Sequence, residues 1–220
     1  MPEQFAAVAG SVDTSTTEYH TIRLTSMELA SYPQLSQLTA LINKSFVTSW
    51  HTIPGLVGPD EVRYQSQQDF VEEMGKDSIT FVTLSGKAEP IATAGYKKWE
   101  AVWKTGKRLR KEGDQPSMRE QEMEQNAFRY EIKAVAVDIT MQKSGLSSNL
   151  VSRITKEIAS NTKMLGGSKY TLMVRAGKET VEKYWTKQGF ATMRESYFKP
   201  GDFGSETGFT ILEMFRDQYV

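Results

Sequence analysis

One stretch constrains the fold of this chain more than any other, Phe128–Ile158. Its first part, Phe128–Asp138, reads as an apolar strand that ends in Ala134-Val135-Ala136-Val137. A short turn containing Gly145 follows. Beyond it, Leu146–Ala159 carries Leu150, Ile154 and Ile158 at every fourth position, which marks one face of a helix. The first N–H groups of such a helix have no internal partners, and the helix dipole favours an anion in front of them. Gly145 lets a ligand approach the backbone. Ser147 and Ser148 add hydroxyl donors and Lys143 adds charge. By itself the segment is equally a plain strand-to-helix connection. It is neither a P-loop, since G-x-x-x-x-G-K-S/T is absent, nor a dinucleotide fingerprint, since G-x-G-x-x-G is absent.

The rest of the chain surrounds this unit with alternating elements. Tyr19–Leu24 alternates polar and apolar residues and predicts a strand. A helix starts at Tyr32-Pro33 and carries Leu35, Leu38, Leu41, Ile42 and Phe46 at helical spacing. The Pro- and Gly-rich stretch 51–59 is a loop, and Asp60 caps a helix over Glu61–Met74. Strands follow at Ile79–Leu84 and Pro90–Tyr96. Past the central unit come a strand at Tyr170–Val174, a helix at Glu179–Lys187 stopped by Gly189, and strands at Phe190–Phe198 and Phe209–Phe215. The order β-α-α-β-β-β-α-β-α-β-β implies an α/β fold: a mixed, mostly antiparallel sheet with helices on both faces. Residues 1–17 read as a loose tail and 18–220 as a single domain. Residues 97–127 read as a surface insertion, either a solvated loop or a substrate lid; Trp99 and Trp103 favour the lid.

Composition excludes several classes. Basic and acidic residues balance at 27 each, so no basic footprint for nucleic acid is expected. The absence of cysteine removes disulfides, thiol nucleophiles and thiolate metal sites. With His20 and His51 as the only histidines, no metal cofactor is expected. No positively charged leader and no 18-residue apolar run is present, so no membrane partner is expected, and the location is read as cytoplasmic, with the nucleus left open.

Gln142-Lys-Ser-Gly145-Leu-Ser147 resembles the Q/R-x-x-G-x-G/A signature of the GNAT N-acetyltransferase superfamily. A second block, Val181-Glu-Lys-Tyr184-Trp185-Thr-Lys187-Gln-Gly189-Phe190, resembles that family's helix ending in Y-x-K-x-G-F. One helix and one strand separate the blocks, as in the family, and the element order agrees from Tyr19 to Arg216. The resemblance implies acetyl-CoA as co-substrate, no metal, and transfer to a primary amine, with a small molecule favoured over a protein amine because 97–126 narrows the groove. A homodimer is compatible with it.

The resemblance also implies roles. Gln142, Lys143, Ser144, Gly145, Leu146, Ser147 and Ser148 hold the pyrophosphate. The backbone of Val135, Ala136 and Val137 binds the pantetheine arm, with the Val135 N–H as oxyanion donor, and Trp185 and Lys187 complete the cofactor side. Glu131, fourteen positions before Gly145, matches the spacing of the catalytic glutamate in the histone acetyltransferase branch. Its alternative is an exposed residue on a polar face shared with Arg129 and Lys133. Ser147 stands where the family has Gly or Ala. Trp185 stands where the family usually has the tyrosine that serves as general acid, and Tyr184 lies one residue earlier, about 100° around the helix. His51, Tyr197 and Phe198 are further acceptor-side candidates. Two competing readings remain, a non-catalytic acyl-CoA-binding module and an unrelated α/β nucleotide binder.

Overall fold

The computed structural model describes residues 19–53, 55, 56, 62–99, 127–202 and 205–220. The expected tail 1–17, Asp60, Glu61, Trp103 and most of the expected insertion lie outside these residues.

Seven strands form one sheet: β1 (His20–Thr25), β2 (Ile79–Leu84), β3 (Pro90–Lys98), β4 (Arg129–Val137), β5 (Lys169–Gly177), β6 (Ala191–Phe198) and β7 (Phe209–Tyr219). Their spatial order is β1-β2-β3-β4-β5-β7-β6. Only β4 and β5 run parallel; every other neighbouring pair is antiparallel. The helices among the described residues are α1 (Ser26–Ala30), α2 (Leu35–Trp50), α3 (Gln67–Met74), α4 (Leu146–Met164) and α5 (Lys178–Lys187).

Across the described residues the expected order holds with one helix added. Short α1 follows β1 directly and is started by a capping box: Thr25 Oγ1 accepts from Glu28 N–H while Glu28 Oε2 accepts from Thr25 N–H at 2.7 Å. A second capping box moves the start of α3. Ser66 Oγ accepts from Asp69 N–H at 3.1 Å and Asp69 Oδ2 from Ser66 N–H at 2.8 Å, so the helix begins at Gln67 and not at Glu61. β3 takes Lys97 and Lys98 from the expected insertion. Trp99 then donates its N–H to Arg129 O at 2.9 Å and is buried, packed edge-on against Phe215 and beneath the Arg129 guanidinium.

The two faces of the sheet carry separate cores. On one, α4 places Leu150, Val151, Ile154 and Ile158 against Ala92, Tyr96 and Ile132, and Trp185 of α5 joins them. On the other, α1–α3 place Leu29, Leu38, Leu41, Phe70 and Met74 against Val82, Leu84 and Ala136. A bulge in β4 decides which of its residues face which core. Gly95 pairs with Lys133 but Thr93 pairs with Ala136, so Ala134 and Val135 stand opposite the single residue Ala94. One extra residue reverses the inside–outside alternation. Glu131, Lys133 and Ala136 therefore share the α2 side, while Ile132 faces α4.

Candidate functional site

The parallel pair β4–β5 is short. It is in register at Arg129–Thr171, Tyr130–Leu172 and Glu131–Met173, and no further. β5 continues beside β7 as far as Gly177–Ile211, while β4 bends away at its bulge, where Ala134 has φ +51°. An alanine in the left-handed region costs about 1–2 kcal/mol, so the surrounding packing enforces the bend. Val135 has no register partner on either neighbouring strand. A cleft of about 550 Å³ occupies the split, lined by Glu131–Val135 of β4, Arg175 and Gly177 of β5, Val181, Tyr184 and Trp185 of α5, and the C-terminal half of α2.

The turn after β4 is held by its own side chains. Asp138 Oδ1 accepts from Thr140 Oγ1–H at 2.6 Å and Thr140 N–H at 2.9 Å, closing a 3-10 turn over Ile139–Met141. These two hydrogen bonds, with Lys44 nearby, hold the Asp138 carboxyl below the usual range. Lys143 (φ +66°) and Gly145 (φ +85°) are both left-handed. The first bond of α4 runs from Asn149 N–H to Gly145 O at 3.0 Å, so the N–H groups of Leu146, Ser147 and Ser148 precede it. Backbone N–H groups gathered by left-handed residues at a helix start make an anion-binding concavity. A Cβ on Gly145 would meet nothing within 4 Å, so conformation and not crowding calls for glycine there. Gln142, Lys143 and Ser144 are exposed beside it.

The two sequence blocks touch. Gln188, the residue that ends α5, donates its Nε2–H to Ser148 Oγ at 2.8 Å. Arg216 fixes Gln188 in turn: its Nη1 donates to Gln188 O at 2.7 Å, its Nη2 to Thr155 Oγ1 of α4 at 2.8 Å, and it lies over the Phe190 ring. Trp185 is buried between Tyr184 and Phe190, and Lys187 is exposed. The Tyr184 hydroxyl is buried and has no hydrogen-bond partner among the described residues.

Glu131 is 3% exposed, which removes the alternative of a solvated glutamate on a polar face. Its Oε1 accepts from Arg175 Nη1–H at 2.9 Å and lies 3.7 Å from Lys133 Nζ. Lys133 also pairs with Glu73 of α3 at 2.7 Å, and Glu73 with Arg63 at 3.0 Å. Arg175 reaches Glu213 of β7 at 3.5 Å, and Glu213 reaches Arg194 of β6 at 3.5 Å. Burial alone would raise the Glu73 carboxyl, yet Arg63 and Lys133 hold it down to about 2. Sequence reading missed Glu73, Lys133, Arg175 and Glu213 as site residues. A lone charge inside an apolar strand, as in Thr171–Ala176 and Thr210–Phe215, was the available signal. Of the further acceptor candidates, Phe198 lines the cleft; His51 caps α2 and is not among the described lining residues, and Tyr197 is exposed beside Gly208.

No family model matches the chain, and no curated protein matches it by sequence. Solved structures do match. An inferred acetyltransferase of Acinetobacter baylyi is 10% identical with a TM-score of 0.58 over 94% of this chain and 95% of its own. An inferred acetyltransferase of the GNAT family from Desulfovibrio desulfuricans is 14% identical, with a TM-score of 0.52 over 90% and 98%. The chain has the GNAT fold. An aminoglycoside 6'-N-acetyltransferase crystallised with coenzyme A is also 14% identical, with a TM-score of 0.53 over 90% and 96%. Within the GNAT fold, the sheet split and the Gly145 turn stand side by side at the end of β4.

Proposed function

We propose that the chain is an N-acetyltransferase that moves an acetyl group from acetyl-CoA to a primary amine on a small molecule. One observation carries the reading: β4 leaves β5 after Glu131 and then runs through a left-handed turn at Gly145 into a helix start, so a single strand links a carboxylate, a residue without a register partner and a turn suited to an anion. A chain with an anionic head and an extended amide arm fits that sequence of groups. The residues Gln142–Ser148 hold the pyrophosphate through backbone N–H groups and the Ser147 and Ser148 hydroxyls. The bulged β4 backbone at Val135 takes the amide arm as an added strand.

In the reaction, the amine nitrogen attacks the thioester carbonyl carbon. A C–N bond forms, the C–S bond breaks, the amine gives up a proton and the CoA thiolate takes one. The Val135 N–H stabilises the developing oxyanion, a contribution of about 3 kcal/mol for one such donor. Glu131 accepts the amine proton, directly or through water. Both neighbouring cations approach its Oε1, which leaves Oε2 to the substrate. Tyr184 lines the cleft, and its hydroxyl, buried and without a hydrogen-bond partner among the described residues, supplies the proton for the thiolate.

Trp185 supports a second reading, a non-catalytic acyl-CoA-binding module. It has no hydroxyl, and its indole is packed into the core between two rings. Thiol release from acetyl-CoA with a panel of primary amines separates the two. Turnover with any amine agrees with the enzyme. CoA binding by calorimetry without turnover on any amine agrees with the module.

A further inference from the structure

The far half of the cleft is built from rings. Phe46 and Trp50 of α2 lie 5.1 Å apart, Trp50 meets Phe209 edge-on at 5.2 Å, and Phe209 stacks on Phe198 at 5.0 Å. The Trp50 indole lies against Gly177, where a Cβ would come within 3.4 Å of the ring. That puts Trp50 at the end of β5, where the strands have already parted. Ring faces of this kind bury a ligand's hydrocarbon and add ring-to-ring contact.

The opposite wall is ionic and largely self-satisfied. Among the described lining residues, Arg63, Lys133 and Arg175 are cationic and Glu73 and Glu131 anionic, a balance of one positive charge. Both carboxylates already hold cations: Glu73 has Arg63 and Lys133, and Glu131 has Arg175 and Lys133. A second ammonium on an acceptor would enter this wall against its net charge and lose its own hydration. A monoamine brings only the nitrogen that reacts.

We infer that the acceptor is a primary amine on an apolar, ring-sized body with no second positive charge, seated against Phe46, Trp50 and Phe209. This rests on the acyl-transfer reading of the same cleft. Amine binding is measured by calorimetry on the full chain, with and without saturating CoA, using phenethylamine, ethanolamine and spermidine. Burying one ring is worth more than a factor of ten in affinity, so phenethylamine binds at least about tenfold more tightly than either other amine. Trp50→Ala lowers phenethylamine affinity at least about tenfold, Trp50→Phe restores most of it, and CoA affinity stays within about twofold in both. Equal or reversed ranking of the three amines in the native chain overturns the inference, as does unchanged phenethylamine affinity in a folded Trp50→Ala. The separate CoA titration distinguishes the failures. A chain that binds phenethylamine but not CoA keeps an aryl-amine site but loses the proposed function and with it the acceptor role, whereas one that binds CoA but ranks spermidine first loses only this inference.

Discussion

Glu131→Gln separates the chemical role of Glu131 from its structural one. Gln keeps the size and one acceptor oxygen but cannot take a proton. Removing one partner of a buried ion pair costs about 3–5 kcal/mol when the other is left uncompensated. Here Lys133 keeps Glu73 at 2.7 Å and Arg175 keeps Glu213 at 3.5 Å. The loss therefore falls toward that of one charge-assisted hydrogen bond, about 1.5–3 kcal/mol. For a chain of this length, that lowers Tm by roughly 3–12 °C. Loss of the general base lowers kcat by about 10²–10⁴-fold at neutral pH. CoA affinity stays within about twofold, a negligible energy on the tenfold-per-1.4 kcal/mol scale. Thermal melts, thiol release and calorimetry read the three quantities. Arg175→Met is the control: it breaks the same ion pair together with the Glu213 contact and keeps the Glu131 carboxylate, so it shows at least as large a drop in Tm with the larger share of turnover retained. Unchanged turnover in a folded Glu131→Gln refutes the role of Glu131.

The charge chain and the motif junction each give one more prediction. The Glu73 carboxyl is held at about 2 in the folded chain against an ordinary 4.5, so folding favours its charged form. That contribution is complete above the ordinary value and is lost as pH falls through the folded one, so the Tm gap between native chain and Glu73→Gln is flat above about pH 5 and closes toward about pH 2. A gap that grows on acidification contradicts this. Gln188→Glu turns a donor toward Ser148 into an acceptor and adds a negative charge beside the Gly145 turn. It weakens CoA binding about tenfold or more, at roughly 1.4 kcal/mol per factor of ten, and the weakening is relieved in high salt as screening grows. A calorimetric affinity equal to that of the native chain contradicts the link between the two blocks.

What the sequence revealed was whatever local physics decides. β2 begins and ends where its apolar run does, and α4 begins at the residue after the predicted Gly145 turn. The capping boxes at Thr25 and Ser66 were equally local. They went unread because α1 is too short to show periodicity, and because Asp60 offered a plausible earlier cap. The bulge at Ala134 was not readable, since alanine is a poor residue for a left-handed position and only the packing of two cores holds it there. The surroundings of Glu131 were hidden for a topological reason. Its partners come from β5 directly, from α3 and β7 at one remove and from β6 at two, and only the strand order brings them together. Parity placed Glu131 with Arg129 and Lys133 on a polar face; the fold covers that face with α2 and α3.

The central claim is that the turn after β4 holds the pyrophosphate of coenzyme A. Titration of CoA into the native chain and into Gly145→Asp, by calorimetry, tests it most directly. Aspartate at φ +85° is strained and brings a negative charge to the helix start where an anion is to sit. The native chain binds CoA, more tightly than ADP, and the folded Gly145→Asp chain shows no detectable heat. Micromolar affinity retained in Gly145→Asp, or ADP bound by the native chain as tightly as CoA, contradicts the claim.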